Sequence, residues 1–143
     1  MSERHDGTDP YILREGLPDP ETFAALRDAA GMTARSPEGV ERGLPNSLYG
    51  AIAVYEPADE VVGMGRIVGD DGMVYQISDM AVHPDHQGRG LGTRIMELLK
   101  SHIEETAPPG AYVNLMADVD DFYERFGYEE TRPASKGMYR RTE

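Results

Sequence analysis

The 143-residue chain is predicted to be a mixed α/β (α+β) domain, a mostly antiparallel sheet flanked by helices, and three features predict it. Three strand-like runs, "SLYGAIAVYE", "EVVGMGRIVG" and "MVYQISDMAVHP", are separated only by the turn-like "PAD" and "DDG", connections that suit an antiparallel meander. From about Gly90 the apolar period becomes helical, with Ile95, Leu98, Leu99 and Ile103 on one face. Beyond "APPG", the run "AYVNLMA" is short and nearly all apolar, as expected of a strand covered on both faces.

The remaining elements follow in order. "MSERHDGTDP", residues 1–10, lacks the apolar core of a signal peptide and is expected to be a flexible tail, with residues 11–143 as one domain. "YILREGL" suits a first strand. "LPDPETFAALRDAAG" suits a helix capped by Asp19, with Pro20 at its first position, Gly31 past its end and a stripe of Phe23, Ala24, Leu26 and Ala30. "SPEGVERGL" offers at most a short helix weakened by Gly39. "DVDDFYERFGY" is expected to be a helix capped by Asp118 and closed by Gly127, and "GMYRR" a last strand.

Composition bounds the function. With 39% hydrophobic and 28% charged residues the chain is an ordinary globular sequence, and no apolar run is long enough to span a membrane. Absence of cysteine excludes disulfides and thiolate metal sites, and the default expectation is a cytoplasmic protein. Twenty-six acidic residues against fourteen basic ones give a formal charge of −12, which disfavours nucleic acid and anionic membranes as partners. Such acidity is expected of a surface adapted to high salt.

Function concentrates in "HPDHQGRGLGTRIMELL", where a glycine-rich turn leads from strand to helix. Converging backbone N–H groups and the positive end of a helix dipole make such a turn an anion site. The nucleotide-triphosphate loop G-x-x-x-x-G-K is excluded, because Thr93 follows Gly92 and the loop has no lysine. The dinucleotide pattern G-x-G-x-x-G starts at Gly88 and Gly90 but breaks at Thr93. Gln87, Gly90 and Gly92 satisfy a third pattern, Q-x-x-G-x-G. His83 and His86 beside it read as solvent-facing turn residues without partner ligands, so no metal is expected, and "GDDG" reads as a turn.

These residues, together with "FYERFGY", resemble the GCN5-related N-acetyltransferase (GNAT) superfamily over about residues 48–141. The resemblance implies a sheet splayed at the acetyl-CoA site, with Met80–Val82 diverging from Asn114. Acetyl-CoA is the implied co-substrate, without a metal. Backbone N–H groups of Gln87, Gly88, Arg89, Gly90, Leu91, Gly92 and Thr93 would cradle its pyrophosphate, while Arg89 and Arg94 either add charge there or form a solvated helix face. Backbone groups of Met80, Ala81 and Val82 would meet the pantetheine arm, one of them serving the thioester oxygen.

The family also suggests roles for side chains. Tyr123 corresponds to the general acid that protonates the leaving thiolate, the alternative being a half-buried aromatic closing its helix. Asn114 either serves pantetheine or satisfies backbone. Asp79 is either a general base touching substrate or a structural acceptor, since burying it among Ile77, Met80 and Ala81 requires a partner. Asn46, Ser47 and Tyr49, with Asp79, are the expected acceptor cleft, suited to a small amine bearing hydroxyls or a cation. The implied activity is acetyl transfer to a small-molecule amine by direct attack in a ternary complex. A non-catalytic acetyl-CoA sensor and a protein lysine or N-terminal acetyltransferase are the alternatives. Family members often pair through sheet edges or C-terminal strands, so the resemblance admits a homodimer, for which this sequence carries no distinct interface signal.

Overall fold

The computed structural model describes residues 9–143; most of the expected tail, residues 1–8, lies outside the described residues. Five strands form one sheet in sequential order: β1 (Tyr11–Glu15), β2 (Tyr49–Tyr55), β3 (Glu60–Gly69), β4 (Val74–Val82) and β5 (Tyr112–Asn114). All neighbours are antiparallel except β4 and β5, which run parallel because helix α3 (Leu91–Thr106) crosses between them. Helices α1 (Pro20–Ala29) and α2 (Pro37–Gly43) fill the connection from β1 to β2.

The sheet is buried on both faces, and β2 shows how. Ala51 and Ala53 join the cluster under α3 with Ile95, Met96 and Leu99, whereas Ile52 and Val54 join Phe23, Leu26, Val40 and Leu44 under α1 and α2. Fully burying each large aliphatic side chain contributes about 1.5–3 kcal/mol. Small residues let α3 lie close: a Cβ on Gly65 would stand 2.5 Å from Met80 Sδ and 3.0 Å from Ile95 Cγ2. Local chemistry sets the ends of the elements. Asp19 accepts from Thr22 N at 2.8 Å and Ser36 from Gly39 N at 3.0 Å, capping α1 and α2. In the β3–β4 turn, Asp70 Oδ1 accepts from the N–H groups of Gly72, Met73 and Val74.

Three expectations need correction. Residues 118–127 form no α-helix; only a single 3₁₀ turn, Tyr123–Phe126, is present, because Asp121 sits at φ 67° and interrupts the winding before it starts. Gly127 closes that turn at φ 91°. "GMYRR" is not a strand: it has no strand partner among the described residues, and Met138 and Tyr139 are exposed. Strand β5 is three residues long at the edge of the sheet, and Tyr112 is exposed rather than covered.

Candidate active site

Strand β4 leads into the glycine turn through a 3₁₀ turn, Pro84–His86, capped by His83 Nδ1, which accepts from Asp85 N at 3.1 Å. Gln87 Nε2 donates to the carbonyl of Val82 at 3.0 Å, tying the turn to the strand it leaves. Gly88 and Gly90 stand at φ 77° and 78°, and a Cβ on either would meet nothing within 4 Å. They are glycines because the backbone turns left-handed there, not because the protein crowds them. Gly92 differs: its backbone is not left-handed, and a Cβ would make ordinary contact with Phe122 Cζ at 3.6 Å.

Gly90 is the N-cap of α3 and brings no capping side chain, and the first turn of the helix contains no acidic residue. The positive end of a 16-residue helix is thereby left for an external anion. A cavity of about 220 Å³ opens over it, lined by Val82, Gln87, Gly88, Gly90, Gly92, Thr93 and Phe122 among others. Uncapped helix, left-handed glycines and open cavity together fit a pyrophosphate group.

Beside the loop, the sheet comes apart. The ladder between β4 and β5 ends at Gln76↔Asn114, so the rest of β4, through Met80–Val82, has no strand neighbour on that side among the described residues. Gln76 Nε2 donates to Asn114 Oδ1 at 3.0 Å, and Asn114 Nδ2 reaches the carbonyl of Tyr75 at 3.5 Å, so the Asn114 amide closes the end of the paired segment. On its other side β4 carries a bulge. Arg66 is opposite Ser78 and Met64 opposite Ala81, leaving Asp79 and Met80 to face Gly65 alone. Asp79 absorbs the extra residue at φ 58°, a left-handed conformation that aspartate tolerates better than most side chains. The bulge also shifts the alternation: Tyr75 and Ile77 face α3 before it, and Met80 and Val82 after it.

Asp79 is thereby directed to the α1–α2 face, where it is 8% exposed. Arg27 Nη1, itself buried, donates to Asp79 Oδ1, and Arg66 Nε donates to Oδ2 at 2.7 Å. Ser78 Oγ adds a hydrogen bond at 3.2 Å. Arg66 also donates to Ser47 Oγ at 3.1 Å and lies 5.9 Å from the centroid of the Phe23 ring, while Arg27 Nη2 holds the carbonyl of Thr33. A carboxylate this buried needs such partners. Reasoning from sequence supplies the need for a partner but not Arg27; its signal is its place four residues after Phe23 on the inner face of α1.

The expected acceptor residues do not form one cleft. Ser47 joins the Asp79 network through Arg66. Asn46 is exposed and donates to the carbonyl of Arg42 at 2.9 Å. Tyr49 packs on the opposite, α3 face, stacked on His102 at 4.1 Å, because β2 alternation turns it away from Ile52 and Val54. Burial, then its hydrogen bond with Glu15, holds the Tyr49 phenol far above its ordinary range.

Tyr123 is 8% exposed and packs in the α3 core, while Phe122, beside it, lines the glycine cavity. Burial, then the charge of Asp118, raises the Tyr123 phenol above its ordinary range. The two arginines of the loop separate: Arg89 is exposed with its Cζ 6.0 Å from the Tyr11 ring centroid, whereas Arg94 pairs with Asp9 at 3.0 Å. His86, expected in solvent, is half-buried, and its Nδ1 lies 2.7 Å from the hydroxyl of Tyr11.

The family model described as the acetyltransferase (GNAT) domain matches residues 49–130. A crystal structure from meticillin-resistant Staphylococcus aureus, a protein of unknown function described as a probable acetyltransferase, is 38% identical with a TM-score of 0.86, covering 92% of this chain and 99% of that one. The uncharacterized N-acetyltransferase ycf52 of Pyropia yezoensis is 28% identical over 116 residues, 80% of this chain and 67% of that protein. A GNAT family acetyltransferase from Brucella melitensis, solved in complex with acetyl-CoA, shares the fold at 18% identity and a TM-score of 0.61, covering 83% of this chain and 82% of that one. The chain belongs to the GNAT acetyltransferases, acyltransferases that draw their acetyl group from acetyl-CoA.

Proposed function

We propose that the protein transfers the acetyl group of acetyl-CoA to the amine of a small molecule, by direct attack in a ternary complex. The observation that carries this reading is the pair of cavities flanking β4: the glycine cavity, with Val82 in its wall, and a second of about 180 Å³ with Asp79 in its wall. One strand thus serves a donor on one side and an acceptor on the other. The second cavity is smaller than those that hold drug-sized ligands, which favours a small acceptor.

In this reading the N–H groups of the glycine turn and of the first turn of α3 hold the pyrophosphate. The unpaired edge of Met80–Val82 hydrogen-bonds the pantetheine arm in the manner of an added strand. A backbone N–H of that same edge serves the thioester oxygen as it gains charge. The acceptor nitrogen attacks the carbonyl carbon, the C–S bond breaks, and the sulfur takes a proton from Tyr123. With both oxygens engaged by Arg27 and Arg66, Asp79 orients those cations, and the proton lost by the amine passes to water. A phenol is protonated at neutral pH in any case, and burial and then Asp118 oppose its ionisation further.

Release of free thiol from acetyl-CoA in the presence of a panel of small amines tests the reading. Amine-dependent release is expected. Tight acetyl-CoA binding with no release for any amine overturns it in favour of a sensor, and labelling of lysate proteins alone overturns the small acceptor.

A further inference from the structure

The cavity on the α1–α2 face has a charge that says what it accepts. Phe23, Val40 and Leu44 supply apolar wall, and Arg35, Arg66 and Asp79 supply the charge. Asp79 is the only carboxylate in the lining, and two guanidinium groups already hold it. That triad therefore carries one positive charge in excess. Arg35 adds a second, because it makes no ion pair among the described residues, whereas nearby Arg42 on α2 is paired with Glu38 at 3.0 Å. Arg35 is exposed where it borders the cavity, and partial desolvation there, then the positive charges of Arg27 and Arg141, hold its guanidinium below its ordinary range, with Asp79 partly opposing them. The cavity is thus a positive spot on a chain of net charge −12.

The cavity is also kept open. Gly39 and Gly43 lie one turn apart on α2 and both border it, leaving bare backbone where side chains would project, although glycine is a poor helix former. The Nη2 of Arg66 makes no hydrogen bond among the described residues, since Nε is engaged by Asp79 and Nη1 by Ser47.

We propose that this cavity selects acceptor amines that also carry an anionic group, a carboxylate or a phosphate, bound between Arg35 and the free Nη2 of Arg66. The proposal rests on the acetyl-transfer reading above and sets an anionic acceptor in place of the expected cationic one, because two guanidinium groups already more than neutralise Asp79. Guanidinium groups suit the task, since their planar fork binds carboxylate and phosphate oxygens in pairs.

The test compares four amines of similar size: β-alanine, O-phosphoethanolamine, ethanolamine and 1,3-diaminopropane. Calorimetry at matched ionic strength, on the protein saturated with coenzyme A, reads binding, and thiol release from acetyl-CoA is measured in parallel. We expect β-alanine, O-phosphoethanolamine or both to bind at least about 10-fold more tightly than ethanolamine, their relative affinities telling carboxylate from phosphate. Arg35→Gln should weaken the anionic amines by about 10- to 100-fold and Arg35→Lys by less, with coenzyme A binding confirming that each variant is folded. Equal or tighter binding of ethanolamine or the diamine, absence of binding by every amine, or an anion preference that survives Arg35→Gln overturns the proposal. Arg35-dependent anion binding without thiol release supports the site and instead counts against acetyl transfer.

Discussion

In the proposed function the two sides of β4 recognise charge by different means. On the donor side the positive field comes from backbone, the glycine turn and the uncapped start of α3, within residues 87–93. On the acceptor side it comes from side chains on α1, the α1–α2 connection and β3, converging on one bulged residue of β4. A backbone site needs only the right handedness of a few neighbouring residues. A side-chain site buried in a sheet face needs ion pairs between distant segments, and it fails as a unit when one member is lost.

The sharpest way to break this contrast is Asp79→Ala. It leaves Arg27 buried against no counter-charge and should destabilise the fold by about 3–5 kcal/mol in urea or guanidinium titration. A loss below about 1 kcal/mol would mean that the two cations are solvated and the acceptor side is not a buried network.

Tyr123→Phe should lower kcat about 100-fold where chemistry limits turnover, the scale of losing a general acid. The phenol pKa is raised, so the proton is still in place where an ordinary tyrosine would ionise. In the parent enzyme kcat should therefore hold on the alkaline side through about pH 10 before it falls. A fall centred near pH 8 would assign the acid to another group.

Within the donor loop, Gly90→Ala should weaken acetyl-CoA binding about 10-fold, because a side chain at φ 78° is strained by about 1–2 kcal/mol and the turn must relax. Gly92→Ala should change binding less than about 2-fold, since its Cβ only touches Phe122. Equal effects at the two positions would show that crowding rather than handedness dictates the glycines. The smallest expected change is a gain. Gly43→Ala, in ordinary helical conformation with open space at its Cβ, should raise stability by about 0.5–1 kcal/mol in the same titration.

The same contrast explains what the sequence disclosed. The donor loop is legible because its requirements are contiguous: left-handed glycines, a helix start and the end of a strand fall within a dozen residues. The meander and α3 are legible for the same reason, through short turns and a clean helical stripe. Asp79 stands out as a carboxylate among apolar neighbours, yet its partners Arg27 and Arg66 lie 52 and 13 residues away and look like surface arginines until the helix and strand are placed. The family resemblance assigns Tyr49 to the acceptor cleft because it lies at the start of the first central strand, whereas strand alternation sends it to the other face. The region from residue 118 onward misleads because acidic residues that can cap a helix can equally take up left-handed turns, as Asp121 does.

The bulge in β4 has a consequence for how such a strand could have arisen. Without Asp79, "VYQISMAV" would be an unbroken alternation, with Tyr75, Ile77, Met80 and Val82 at every second position and Met80 opposite Gly65. The strand reads as an ordinary framework segment with one codon spliced in. That insertion leaves both apolar faces in register, yet it delivers a carboxylate to the α1–α2 side. A deletion variant lacking only this residue would therefore keep the sheet and the glycine turn while losing the carboxylate that holds Arg27 and Arg66 together.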